Sequence, residues 1–275
     1  MADVPSRSRP SRLIPSADGT PIAVFSSGTG PPLLLVHGAA ADHTTFRVVG
    51  PMFARRFSVH AVDRRGRGAS GDTPPYAVDR EYEDLRGVAD VLGREAGRPV
   101  DVVGHSFGGR VALGAALEPG RFGRLVVYEG APPAAAEPYQ APDLSDRLRT
   151  LLRGRGPEAM LIAFLADVVG LTPGEIADYR RNPVWPDRVA AAPTVVRELE
   201  AEASVAAGLD RLGDVRAPVL QIVGGESRGA FGAAAEALGA RLANGRLVVI
   251  HGARHAAHHS HPDRFVAVVE GFLEG

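Results

Sequence analysis

Val100-Asp101-Val102-Val103-Gly104-His105-Ser106-Phe107-Gly108-Gly109 decides how the rest of this chain is read. Its valine-rich start has the character of a buried strand, and residues 108–118 have the character of a helix. Ser106 therefore sits on a sharp strand-to-helix turn, with glycine two residues away on either side. Such a turn strains the backbone at the serine, and side chains at 104 and 108 are expected to collide with it. The Phe107 amide opens the helix, so its N–H and the helix's positive end face any oxyanion formed at Ser106. The setting predicts a nucleophilic serine with one oxyanion donor, Phe107, already beside it.

Working outward, short runs of Val, Leu and Ile at 33–36, 58–62, 125–128, 219–223 and 247–250 alternate with helix-length stretches at 80–96, 230–242 and 262–273. That alternation predicts buried parallel strands joined by crossover helices. Residues 12–15 and 22–25 flank Asp18-Gly19, a hairpin signal that predicts an antiparallel pair at the sheet edge. The alternation breaks after Ala131, where Pro132-Pro133-Ala134-Ala135-Ala136 leads into helical segments around 144–152, 158–169, 173–181 and 195–203. The expected fold class is α/β, a mostly parallel sheet with crossover helices on both faces and a helical cap insertion. Its expected divisions are a core over residues 1–131, with 1–12 a loose tail, a cap over 132–213, and the rest of the core over 214–275. A cap placed there would roof a pocket.

Composition narrows the chemistry. At 275 residues with 45% hydrophobic side chains the chain can build a large core without staples. Cys 0 removes disulfides, thiolate nucleophiles and thiolate metal sites, which leaves serine and histidine as the leading groups for covalent catalysis. A formal net charge of −1, with acids and bases interspersed, offers no field for a polyanion, so no nucleic-acid partner is expected. With neither a signal peptide nor a long apolar span in view, a cytoplasmic enzyme with a small-molecule substrate and no membrane partner is the simplest expectation. The Gly66-x-Gly68-x-x-Gly71 pattern fails as a dinucleotide fingerprint because Pro74 and Pro75 follow where a helix must begin. His255 and His259 share a helical spacing but lack the carboxylate company of a zinc site, and no metal or other cofactor is expected.

Over nearly its whole length the chain resembles the α/β-hydrolase family. His37-Gly38-Ala39, after the run at 33–36, is similar to that family's oxyanion loop, and the resemblance implies the Ala39 amide as second oxyanion donor with His37 bracing the loop. Asp63-Arg64-Arg65-Gly66-Arg67-Gly68-Ala69-Ser70 is similar to its structural D-x-R-G-x-G-x-S loop. Gly252-Ala253-Arg254-His255 stands where the family carries its catalytic histidine. The chain departs from the commonest pattern at the acid, since Ser227 occupies the usual aspartate position. Glu129, ending an apolar run at a strand terminus, is the favoured replacement, and Glu226 is the alternative.

The resulting expectation is a serine hydrolase cleaving an ester or lactone of a small molecule through an acyl-serine intermediate. Ser106, His255 and Glu129 form the catalytic set, and Ala39 and Phe107 form the oxyanion hole. Amide or carbon–carbon bond hydrolysis, perhydrolase chemistry, and a non-catalytic small-molecule receptor on the same fold are the alternatives. A serine nucleophile argues against the dehalogenase and epoxide-hydrolase branches. His258, His259 and His261 are expected to be polar surface or helix-start residues, and Trp185 an aromatic anchor between helices.

Overall fold

In the computed structural model, which describes residues 9–135, 138–139 and 141–275, the apolar runs pair into one eight-stranded sheet. Its strands are β1 (Arg12–Pro15), β2 (Pro21–Ser27), β3 (Pro32–Val36), β4 (Ser58–Val62), β5 (Val100–His105), β6 (Phe122–Tyr128), β7 (Val219–Gly224) and β8 (Gly245–Ile250). They lie in the order β1-β2-β4-β3-β5-β6-β7-β8. Pairing is antiparallel at β1–β2 and β2–β4 and parallel from β4 onward, as the hairpin and crossover signals predict. The chain runs from β3 outward to β4 and then returns to the other side of β3 as β5. Order reverses there, and a crevice opens beyond the carboxyl ends of β3 and β5, where open α/β sheets bind their ligands.

Buried apolar side chains separate into one cluster on each face of the sheet. On the first face α1 (Val78–Ala96) buries Tyr82, Leu85, Val88, Ala89 and Leu92, a single stripe at helical spacing, and stops at left-handed Gly97. Each large side chain on that stripe contributes about 1.5–3 kcal/mol by leaving water. Beside it runs α2 (Phe107–Ala115), buried at every position. The other face is covered by Gly50–Phe53 and by the last helix, Pro262–Glu274.

Between β6 and β7 come α3 (Leu144–Phe164), α4 (Pro173–Arg180), α5 (Trp185–Ala191) and α6 (Val195–Glu202). A break at Gly156, φ 83°, followed by Pro157, divides α3 at the gap between two of the segments read from sequence. Thr172 and Glu175 close a capping box at the start of α4. These helices have their own apolar cluster, which includes Leu148, Phe164, Trp185 and Leu199 and reaches Ala40 of the core. Trp185 packs edge-on to Tyr179 and donates to Glu158 Oε1 at 3.0 Å, an anchor between helices as expected.

Two expectations about the chain's divisions need revision. Of the loose tail at 1–12, residues 1–8 lie outside the described residues, but Ser11 already donates to Val24 O at 2.8 Å and Arg12 belongs to β1. Ala207 and Leu212, read as the end of the insertion, are fully buried in the first-face cluster, because their apolar side chains complete the packing over α1 and α2. Ala136, in the proline-alanine lead-in, also lies outside the described residues. Among the described residues no helix is long and apolar enough to cross a membrane.

A buried ionic network fixes α6 to the core. Arg64, in the loop after β4, makes two bonds to Glu81 of α1, at 2.7 and 2.8 Å, and a third to Glu198 of α6. Arg67 reaches the same Glu198 at 2.7 Å, and Arg110 of α2 lies 2.8 Å from Glu202. The D-x-R-G-x-G-x-S loop is thus structural: Asp63 accepts from the amides of His43 and Ala69 at 2.8 Å each.

Candidate active site

Ser106 follows the last residue of β5 in a left-handed conformation, φ 53°, and its amide donates to Tyr128 O at 2.8 Å. Glycine is required around it, for a reason other than the one read from sequence. A Cβ at Gly108 would lie 2.3 Å from His37 O and 2.4 Å from Val36 O, and one at Gly104 would lie 2.5 Å from Gly109 Cα. The collision is therefore with crossing backbone and not with the serine side chain. Among the described residues, the non-glycines with left-handed φ are Ala40 at 49°, Ser106 at 53° and Glu129 at 46°. Strain of this kind persists only where the surroundings impose it. All three cases fall at the ends of β3, β5 and β6, around one crevice.

Glu129 and His255 meet directly. His255 Nδ1 lies 2.5 Å from Glu129 Oε2; a carboxylate only accepts, so Nδ1 carries the proton and Nε2 is left as the basic nitrogen. The other oxygen, Oε1, accepts from the Gly224 amide at 2.7 Å, at the end of β7. Glu129 is 4% exposed, so both bonds act in a poorly solvated setting. Phe231 stacks on the imidazole with centroids 4.8 Å apart and fixes its plane. Glu226 is exposed, its amide tied to Ala253 O at 2.8 Å, and the structure does not bring it to His255.

Tyr128, whose role sequence reading missed, completes the support. Its hydroxyl donates to Arg254 O and accepts from the Ala257 amide at 2.9 Å, so it holds the backbone on both sides of His255. Tyr128, the last residue of β6, thus grips the loop while Glu129, in the turn that follows, grips the ring. Removing the hydroxyl leaves two buried backbone groups without partners and loosens the imidazole. Tyr128→Phe is expected to lower kcat by about 10–100-fold with KM nearly unchanged; steady-state kinetics on a chromogenic ester checks this, and a change confined to KM contradicts it.

The loop after β3 is braced as expected. His37 Nδ1 donates to Gly38 O at 2.8 Å, and Nε2 accepts from the Arg64 amide at 3.0 Å. Burial, with the Arg64 charge added, holds His37 well below the usual histidine range, so the brace stays neutral. Arg64 also donates to Gly38 O at 3.1 Å and places its guanidinium 4.6 Å from the centre of the Phe107 ring. One buried cation therefore touches Phe107 and the residue that precedes Ala39. Ala39, Ser106, Phe107, Glu129 and His255 together line one small recess.

In front of Ser106 and His255 lies a cavity of about 460 Å³, roofed by Leu161, Phe164 and Leu165 of the inserted helices. Its volume is in the range of small-molecule sites. His258 corrects the surface assignment: it is 2% exposed, 4.6 Å from the His105 ring, and held well below the usual histidine range by burial and by its neighbour His105. His259 also lines the cavity and is pushed down to about 4 by burial, Arg47 and Arg188. Arg47 and Arg188, unremarked in sequence, join the site because loop and insertion converge there.

The profile of the alpha/beta hydrolase family matches residues 33–268. A crystal structure of an alpha/beta hydrolase from Sphaerobacter thermophilus DSM 20745 superposes with a TM-score of 0.81 and 33% identity, covering 95% of this chain and 100% of that one. A pimeloyl-[acyl-carrier protein] methyl ester esterase of Neisseria meningitidis serogroup A is 27% identical over 258 residues, 88% of this chain and 76% of that protein. An enol-lactonase from Burkholderia xenovorans LB400 shares the fold, with a TM-score of 0.76 at 21% identity, covering 95% of this chain and 100% of that one. The chain belongs to the alpha/beta hydrolase family and is a hydrolase.

Proposed function

We propose that the protein hydrolyses a carboxylic ester or lactone of a small molecule through an acyl-serine intermediate. The observation that carries this reading is the 2.5 Å contact of His255 Nδ1 with buried Glu129, with His255 and Ser106 facing one cavity. In this reading His255 Nε2 takes the Ser106 hydroxyl proton as Oγ bonds to the substrate carbonyl. The amides of Ala39 and Phe107 hold the oxyanion. The imidazolium, stabilised by Glu129, gives its proton to the leaving oxygen as the carbon–oxygen bond breaks. Water, deprotonated by His255, then attacks the acyl carbon, and Ser106 leaves with the proton. The resemblance to a methyl ester esterase supports an ester over an amide. The helices roofing the cavity act as the cap that sets specificity.

A fluorophosphonate probe, followed by peptide mapping, tests the nucleophile, with Ser106→Ala as the control. The expected result is one label per chain on Ser106, together with turnover of short-chain p-nitrophenyl esters that the variant lacks. An unlabelled Ser106 and inert esters would move the assignment to a small-molecule receptor.

A further inference from the structure

We propose that the substrate carries a carboxylate group, bound by the Arg47 guanidinium at the rim of the cavity over Ser106. The proposal rests on the ester-hydrolase reading and adds a substrate class to it.

The argument is a charge balance. Three guanidiniums line the cavity, those of Arg47, Arg188 and Arg254. Arg188 is committed: it lies 2.9 Å from Asp42 Oδ1 and donates to Thr44 Oγ1 at 2.9 Å and to the Tyr179 hydroxyl at 3.1 Å. Arg254 is committed too, to Glu175 Oε1 at 2.7 Å and Gly170 O at 2.8 Å. Glu175 in turn spends its second oxygen on the Thr172 amide and hydroxyl, both at 2.8 Å. Arg47 makes one bond, a 3.3 Å donation to Thr44 O, and among the described residues no carboxylate lies within ion-pair distance of it.

The cavity is thus left with about one uncompensated positive charge. Of the histidines that line it, His105 and His258 are held well below their usual range by burial and His259 is pushed down to about 4, so these three add no charge at neutral pH. Much of the remaining wall is aliphatic or aromatic, including Leu161, Phe164, Val169 and Leu171, while Arg47 itself is exposed at the rim, where solvent and salt screen part of its charge. A single excess cation matches a monoanion. A carboxylate also fits the planar guanidinium fork through paired N–H donors, whereas a phosphate dianion would leave half its charge uncompensated.

The test compares mono-p-nitrophenyl glutarate with p-nitrophenyl 5-methylhexanoate, a neutral isostere, in the wild type, Arg47→Gln and Arg47→Lys. The wild type is expected to prefer the glutarate by about tenfold or more in kcat/KM at low salt, with the preference shrinking as salt is added. Arg47→Gln is expected to lower that ratio by about tenfold, mainly through KM, and Arg47→Lys to restore part of it. An unchanged ratio in Arg47→Gln overturns the proposal. A second arm reads binding alone: monomethyl glutarate, a monoanion, titrated calorimetrically into Ser106→Ala should bind, and the Ser106→Ala/Arg47→Gln double variant should lose that binding. If the wild type cleaves neither ester, the hydrolytic reading fails while this arm still decides the anion site. Monomethyl glutarate that fails to bind at millimolar concentration, or binds equally without Arg47, overturns it.

Discussion

Replacing Glu129 by glutamine is expected to lower kcat by about 10³–10⁴-fold, with KM changed by less than about threefold. The substitution is isosteric, and its carbonyl can still accept from the Gly224 amide, so the strained turn at φ 46° keeps its anchor. What changes is the face presented to His255. An amide NH₂ there donates where the carboxylate accepted, which forces the proton onto Nε2 and leaves no base for Ser106. The loss of negative charge also removes the stabilisation of the imidazolium. Glu226→Gln, on an exposed side chain, should stay within about twofold of the wild type. Kinetics on one chromogenic ester separates the two; the opposite pattern would transfer the acid to Glu226.

Acid should begin to destabilise this protein above the range in which its carboxylates titrate. His37, His105 and His258 are buried and held far below the usual histidine value, in each case first by loss of solvent. Their folded-state pKa is depressed, so the unfolded chain binds protons that the native state does not. Stability is therefore full above about pH 6.5 and declines as pH falls below it. Each such group contributes a slope of about 1.4 kcal/mol per pH unit, so three give roughly 4, and a domain of ordinary stability is exhausted near pH 5 to 4. His60, pushed down to about 4 by burial and then by Arg12, acts in the same sense. Glu202 and Asp84, both raised by burial, act oppositely between their raised folded values and the ordinary carboxylate range. Thermal melts from pH 8 to pH 4 check this, and a melting temperature unchanged down to pH 5 would refute it.

What could be read from the sequence was whatever is local in the chain. The strand–turn–helix at Ser106 was legible because glycine spacing and apolar runs are contiguous, and the separation of the helical segments at 144–152 and 158–169 was legible as a gap, where the structure has the break at Gly156-Pro157. Glu129 could be favoured from its place after an apolar run, but its partner 126 residues away could not be derived from spacing. Tyr128 was read only as a strand residue, since its hydroxyl bonds depend on how the loop at 254–257 returns across the sheet. His258 was misplaced for a similar reason: a histidine-rich stretch looks solvated until β6 and the last helix close over it with Tyr128 and Phe265. Arg188 and Arg47 come from an irregular loop and an irregular insertion, where no periodicity marks which side chains converge.

The attachment of α6 has a kinetic consequence. To swing this helix away from the crevice, Glu198 would have to leave two fully buried guanidiniums, Arg64 and Arg67, with no water to replace it. Abandoning such charges costs about 3–5 kcal/mol. Because Arg64 also touches Gly38 and Phe107, the same motion would disturb the groups beside Ser106. Opening on each catalytic cycle is therefore cheaper at the far end of the roof, where α4 is fastened by the half-exposed Arg254–Glu175 pair and α3 is broken at Gly156.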